Sequence, residues 1–195
     1  MSVDSIVKDA IDVYHAAQKP GELAGLGQLI IERDYRTATE IGTGFGGTSW
    51  FLWALGLTVI SIDDCDETFF RQAPTTHGYV PTRIPEITYM VGDSKRFNLD
   101  PADVIFIDGN HTYNGAKADW EHWRGSVNLG GIVVFHDIVE NAPWNSCEVK
   151  RLFDEIATEY ETTTFIDPTD DGYPWGGFDA SGNRALWGGI GVVHL

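Results

Sequence analysis

Apolar and polar positions along the chain alternate between two rhythms, and the switches between them outline the elements. Ile6, Val7, Ala10, Ile11, Tyr14 and Ala17 recur at helical spacing, which predicts an amphipathic helix over Asp4 to Gln18 with Asp9 and Asp12 on its polar face. Lys19-Pro20-Gly21 ends it, and Leu23, Leu26, Leu29 and Ile30 define a second helix over Glu22 to Glu32, so that residues 1–35 form a helical cover. Apolar runs of strand length then take over: one ending at Glu40-Ile41, followed by TVISI, EITYMV, DVIFIDG and GIVVF. The nearly continuous apolar character of DVIFIDG and GIVVF is that of strands buried on both faces of a parallel sheet.

Helical patterns separate these runs. One helix begins near Thr48; a second spans Tyr113 to Leu129, with Ala116, Trp120, Trp123 and Val127 on one side and Gly130-Gly131 closing it. A third runs from Asn145 to Tyr160, capped by Asn145 with Glu148 three residues on. DETFFRQ has room for one or two helical turns before Pro74, Gly78, Pro81 and Pro85 impose an irregular loop. At the end, ETTTFID and ALWGGIGVVHL read as an antiparallel hairpin whose long connection, 167–185, contains Trp175 and suits a substrate-side loop. The alternation predicts one α/β domain over residues 1–195: a doubly wound, mostly parallel seven-stranded sheet with a C-terminal antiparallel hairpin and helices on both faces.

Composition narrows the range of partners. Thirteen Lys+Arg against twenty-nine Asp+Glu give a formal net charge of −16 over 195 residues. No basic cluster is visible, which argues against nucleic acid and against an anionic membrane surface. The start lacks the basic and apolar regions of a signal peptide, no apolar run reaches the length of a membrane span, and Cys65 and Cys147 suggest no disulfide framework. A cytoplasmic protein is expected, and self-association is left open.

The chemistry is concentrated around ATEIGTGFGGTS, residues 38–49. A buried strand runs into a turn through Gly42, Gly44, Gly46 and Gly47, and a helix follows whose free N–H groups face any bound anion. About twenty residues after the first glycine, the second strand ends in Asp63-Asp64, where an acidic side chain accepts ribose hydroxyls. A ribose-containing ligand follows from the two features together.

GTGFGG satisfies the dinucleotide pattern, and with Glu40 two residues before Gly42 it also resembles the E/D-x-G-x-G-x-G signature of class I S-adenosylmethionine-dependent methyltransferases. YMVGDS, DVIFIDGNHTY and GGIVVFHDI resemble the third, fourth and fifth strand ends of that family. The likeness is to its branch similar to small-molecule O-methyltransferases and cephalosporin-hydroxylase-like proteins, and it covers roughly Thr37 to Ile138. It implies a Rossmann-like fold and S-adenosylmethionine as cofactor. Glu40, Gly42, Thr43, Gly44, Gly46, Thr48, Asp63, Asp64, Asp93, Ser94 and Asp108 would hold that cofactor, with Asp93 at the adenine amino group.

Methyl transfer needs alignment and a group that takes the acceptor's proton. Asp108, His111, His136 and Asp137 gather at the strand ends for that task, facing a small-molecule acceptor. By resemblance to catechol-type enzymes, Asp108 and Asp137 match ligands of a divalent metal, Mg²⁺ or Mn²⁺, with His136 standing where an acidic ligand is usual. Imidazole suits Mn²⁺ better than Mg²⁺, and either histidine is alternatively a general base. Two other readings stay open: a non-catalytic S-adenosylmethionine-binding protein, and an NAD-dependent oxidoreductase sharing the glycine turn and Asp63.

Overall fold

The computed structural model of the chain describes residues 1–65, 83–139, 147–169 and 187–195. Its strands are β1 (Thr37–Ile41), β2 (Thr58–Asp63), β3 (Thr88–Val91), β4 (Ala102–Ile107), β5 (Val127–His136), β6 (Thr162–Phe165) and β7 (Ile190–His194). They form one sheet in the order β3-β2-β1-β4-β5-β7-β6. Neighbours from β3 to β5 are parallel, whereas β7 runs antiparallel to both β5 and β6. The expected mixed sheet and its terminal hairpin are both present.

Alternation along the strands explains the layers. In β4, Val104 and Phe106 join one buried cluster with Leu23, Leu26 and Ile30, while Ile105 and Ile107 join another with Trp120, Trp123 and Leu152. Helices α1 (Val3–Asp12), α2 (Pro20–Glu32) and α3 (Gly47–Ala54) therefore cover one face, and α4 (Tyr113–Trp123) with α5 (Val149–Ile156) the other. Strand order reverses between β1 and β4, the crevice where open α/β sheets bind ligands at their carboxyl ends.

Three element boundaries differ from the sequence expectation. The first helix, capped by Ser2, stops at Asp12, not Gln18. His15 takes a left-handed conformation, φ 60°, and the Ala16 N–H reaches back to the Ala10 carbonyl at 2.8 Å. The chain turns there because Ala16 must lie on α3: a Cβ on Gly47 would stand 2.1 Å from the Ala16 nitrogen. Pro20 then opens α2 instead of closing α1, as suits a residue with preset φ and no N–H.

The helix expected to reach Leu129 ends at Trp123, and Val127 to Leu129 belong to β5. Asn128 donates to Asp103 at 2.7 Å, and Gly130, at φ 79°, lies in this part of the strand near its register shift against β4, not at a helix end. The last helix is also shorter, Val149–Ile156, with Glu148 at its start; the expected cap Asn145 lies outside the described residues. So do DETFFRQ and most of the 167–185 connection, including Trp175.

Candidate active site

A cleft of about 840 Å³ opens along the carboxyl ends of β1 to β5, lined from one end by Gly92 to Lys95, through Asp63, Asp64 and Gly42 to Gly44, to Asp108, His111, His136 and Asp137. Its floor is the glycine turn. Gly42, Gly44 and Gly46 have φ values of 93°, 50° and 95°. A Cβ at Gly42 would meet the Asp108 carbonyl oxygen at 2.1 Å, so a side chain there would push β1 away from the end of β4. Gly46 precedes α3, and Thr48 is buried beside it.

Asp63 closes this part of the cleft. Its two carboxylate oxygens accept the Gly44 N–H at 3.0 Å and the Cys65 N–H at 2.9 Å. Burial pushes its carboxyl up, and those backbone donors pull it down. Asp64 is exposed on the rim. Glu40 differs in position from the other cofactor candidates: it is fully buried beneath the turn, where Ser49 and Ser61 donate to its Oε2. The Thr43 hydroxyl shares the network through Ser61 at 2.6 Å. Burial pushes the Glu40 carboxyl up to about 8, against the two serine hydroxyls.

At the β3 end, Asp93 lies half-exposed on the cleft wall. Its Oδ1 accepts the Lys95 N–H at 3.1 Å and pairs with the Lys95 ammonium at 2.5 Å; the latter holds its carboxyl below the usual range. Ser94 points inward and donates to Asp119 of α4 at 2.5 Å. Asp119 is buried within the cleft wall, and burial pushes its carboxyl up while Ser94 and Lys95 oppose that.

The opposite end is a charged cluster. Asp108 Oδ1 lies 3.2 Å from His111 Nε2 and 3.2 Å from His136 Nδ1, while its Oδ2 accepts the Gln18 amide at 2.8 Å. Burial alone would raise the Asp108 carboxyl, yet His136 and His111 hold it well below the carboxylate range. Asp137, in a left-handed conformation with φ 61°, places its Oδ2 3.4 Å from His111 Nε2. Ligand atoms of Asp108, His111 and Asp137 all fall within 4.8 Å of one another, an arrangement that can hold a cation. The Asp108 hydrogen bond raises His111 against its own burial.

His136 sits deeper, only 4% exposed. Among the described residues its Nε2 has no hydrogen bond, and it faces Glu22 Oε2 at 3.8 Å. Glu22 is wholly buried, its carboxylate capped by the Gly189 N–H at 2.8 Å and the Lys19 N–H at 3.2 Å. Burial would strip a proton from His136, but Asp137, Asp108 and Glu22 outweigh it and push the imidazole up to about 10. His136 is thus an internal cation between carboxylates, and His111 is the nitrogen at the open side.

The structure brings Asp108, His111, His136 and Asp137 together at one edge, and beside them stand Glu22, Gln18 and Asp119, which the sequence reading does not single out. The Gln18 amide donates to Asp108 and accepts from Thr48 Oγ1 at 2.8 Å, joining the turn to the cluster. Helical periodicity concealed Gln18 at the end of the expected first helix and Glu22 at the start of the second. The one available signal was Pro20, with Glu22 two residues later in the first turn of a helix.

Residues 39–138 match the sequence model of the methyltransferase-domain family. The chain belongs to this family, and its class is that of the S-adenosylmethionine-dependent methyltransferases its strand ends resemble. Among solved structures it is similar to an O-methyltransferase from Bacillus cereus in complex with S-adenosylhomocysteine, at 18% identity and TM-score 0.61, covering 100% of this chain and 93% of that one. It is also similar to the O-methyltransferase TomG of Streptomyces achromogenes, involved in tomaymycin synthesis and solved with S-adenosylmethionine, at 18% identity and TM-score 0.57, covering 100% and 90%. At that identity these likenesses establish the fold. Among the described residues no helix is long and apolar enough to cross a membrane.

Proposed function

We propose that the protein methylates a hydroxyl oxygen of a small molecule, using S-adenosylmethionine, with a divalent cation held by Asp108, His111 and Asp137. The observation that carries this reading is the meeting of those three side chains at the open end of the cleft, beyond the glycine turn. The residues suit the cofactor: a Cβ-free turn admits close contact with backbone, and Asp63 offers carboxylate oxygens in the cleft wall. S-adenosylmethionine supplies a methyl group on a sulfonium, ready for displacement. Two carboxylates and one imidazole make a donor set better matched to Mn²⁺ than to Mg²⁺. A cation there would lower the pKa of an acceptor hydroxyl.

The chain's own residues do the rest. Asp108 is fixed by Gln18, so its carboxylate keeps one direction, and His136 compensates its charge from behind. His111 is either the third ligand of that cation or, in a second version without metal, the base: the hydrogen bond between its Nε2 and Asp108 orients the ring and leaves Nδ1 to take the acceptor's proton.

Incubation with S-adenosylmethionine and a panel of phenols and catechols, read by mass spectrometry as a gain of one methyl group, tests both versions. Metal assistance predicts that a chelator abolishes transfer and that Mn²⁺ restores it. A chelator without effect, together with a loss of about 10²–10⁴-fold in His111→Ala, assigns the proton to His111. Binding of the cofactor without transfer to any acceptor favours a non-catalytic binding protein.

A further inference from the structure

We propose that Lys19 is a positioning residue for the methyl acceptor: its ammonium holds Trp187 as the cleft wall on the side away from the cofactor, and the acceptor binds between that ring and the charged cluster. The inference rests on the function proposed above and deepens it. Strand order sets the sides. The glycine turn follows β1, and Asp108 and Asp137 follow β4 and β5. The next strand, β7, begins at Ile190, which pairs with His136. Trp187 lies just before it and lines the cleft, and a Cβ on the adjoining Gly188 would stand 3.3 Å from His136 Nε2. From β1 to β7 the order is therefore methyl donor, reacting cluster and Trp187, which leaves the acceptor the space beside the ring.

Lys19 is 2% exposed, at the start of α2. Its ammonium donates to the carbonyls of Asp167 at 3.0 Å and Thr169 at 3.1 Å, and it stands 5.2 Å from the centre of the Trp187 ring. One cation thus joins the segment that leaves β6 to the segment that enters β7, and both to the helical cover. Its neighbours fix the same two segments: the Gly21 N–H donates to Asp167 Oδ2 at 2.9 Å, and the Gly189 N–H to Glu22 Oε1 at 2.8 Å. Among the described residues no carboxylate bonds to this ammonium. A buried ammonium outside an ion pair is costly, whereas a methionine would fill similar space without that penalty. What the charge adds is direction. The attraction between a cation and a ring face holds the indole in one orientation, while the two carbonyls hold the cation. The part of Trp187 that lines the cleft is thereby a fixed apolar surface beside the reacting cluster.

Steady-state kinetics with catechol, or with the panel member methylated fastest where catechol is not, separates acceptor binding from chemistry. Calorimetry with S-adenosyl-L-homocysteine reads the cofactor side without turnover. Lys19→Met should raise the acceptor KM about tenfold, with kcat and S-adenosyl-L-homocysteine affinity within about threefold of the wild type. Trp187→Leu should do the same, and adding Lys19→Met to it should raise KM by no more than about threefold further, because Lys19 acts through the ring. Effects that multiply in the double variant, or a KM unchanged by Lys19→Met, overturn the proposal. An equal loss of S-adenosyl-L-homocysteine affinity also overturns it, by making Lys19 a support of the fold alone. If Lys19→Met does not fold, as seen by circular dichroism, Trp187→Leu with Lys19 intact carries the test, and an unchanged acceptor KM there overturns the assignment. A wild type that methylates no member of the panel refutes the proposed function and this assignment with it, whereas a failure confined to the variants refutes the assignment alone.

Discussion

Glu40 and Glu22 are the same residue type, both wholly buried, and they lie beneath two different parts of one cleft, the glycine turn and the charged cluster. Beneath the glycine turn, the polar partners of Glu40 among the described residues are hydroxyls, and burial pushes its carboxyl up to about 8. Behind the charged cluster, Glu22 meets two backbone N–H groups and an imidazole that titrates near 10. Burial raises both carboxyls on balance, opposed at Glu22 by the imidazolium and the backbone donors and at Glu40 by two serine hydroxyls. Equal depth comes with different partners. The turn thus stands on a neutral network, which imposes no charge on whatever lies above it, while the reacting end stands on an alternating chain of charges.

The largest expected effect separates the two directly. Glu22→Gln removes one of the three carboxylates around the His136 imidazolium, which should cost about 2–3 kcal/mol of folding stability, measured by urea denaturation at neutral pH. A cost no greater than that of the same change at Glu40 would mean that Glu22 is also protonated, and the contrast would collapse.

The next effect is a pH slope. Below pH 4.5 Glu40 is protonated in both folded and unfolded chains, and its contribution is complete. Between pH 4.5 and about 8 the unfolded chain ionises while the folded one retains its proton, so stability falls as pH rises. Urea midpoints across that range should fall more steeply for the wild type than for Glu40→Gln, by up to about 1.4 kcal/mol per pH unit. Parallel curves would show that Glu40 is ionised in the folded protein. The smallest effect is Glu40→Gln itself at acidic pH. There the amide carbonyl accepts from Ser49 and Ser61 as the neutral carboxyl does, and the change should stay within about 1 kcal/mol in the same assay.

This contrast marks where sequence reading succeeds. The turn was legible because its requirements are local: positive φ at Gly42, Gly44 and Gly46 and a strand ending on an acid are written in neighbouring residues. Glu40 and Ser49 even share that segment. Asp108 and Asp137 were legible because buried parallel strands deliver their last residues to one edge. Glu22 was not, since its Gly189 partner lies 167 residues away and its helix still carries a regular apolar stripe. The same limit hid the turn at His15, because Tyr14 and Ala17 continue the helical period while the reason to stop, the approach of Ala16 to Gly47, is tertiary. The helical period likewise extends through Val127 to Leu129, where the pairing of Val127 with Ala102 and the Asn128 bond to Asp103 favour the strand.

The amide of Gln18 donates on one side, to Asp108, and accepts on the other, from Thr48. That opposed polarity narrows the set of side chains the position tolerates. Glutamate would set a second carboxylate against Asp108, lysine would have nothing to accept the threonine hydroxyl, and asparagine lacks the reach. The segment that carries Gln18 is also pressed against a glycine that admits no Cβ. The helical cover and the glycine turn are consequently one heritable unit: in a chimaera of two such enzymes, residues 1–18 and 42–48 must be drawn from the same parent.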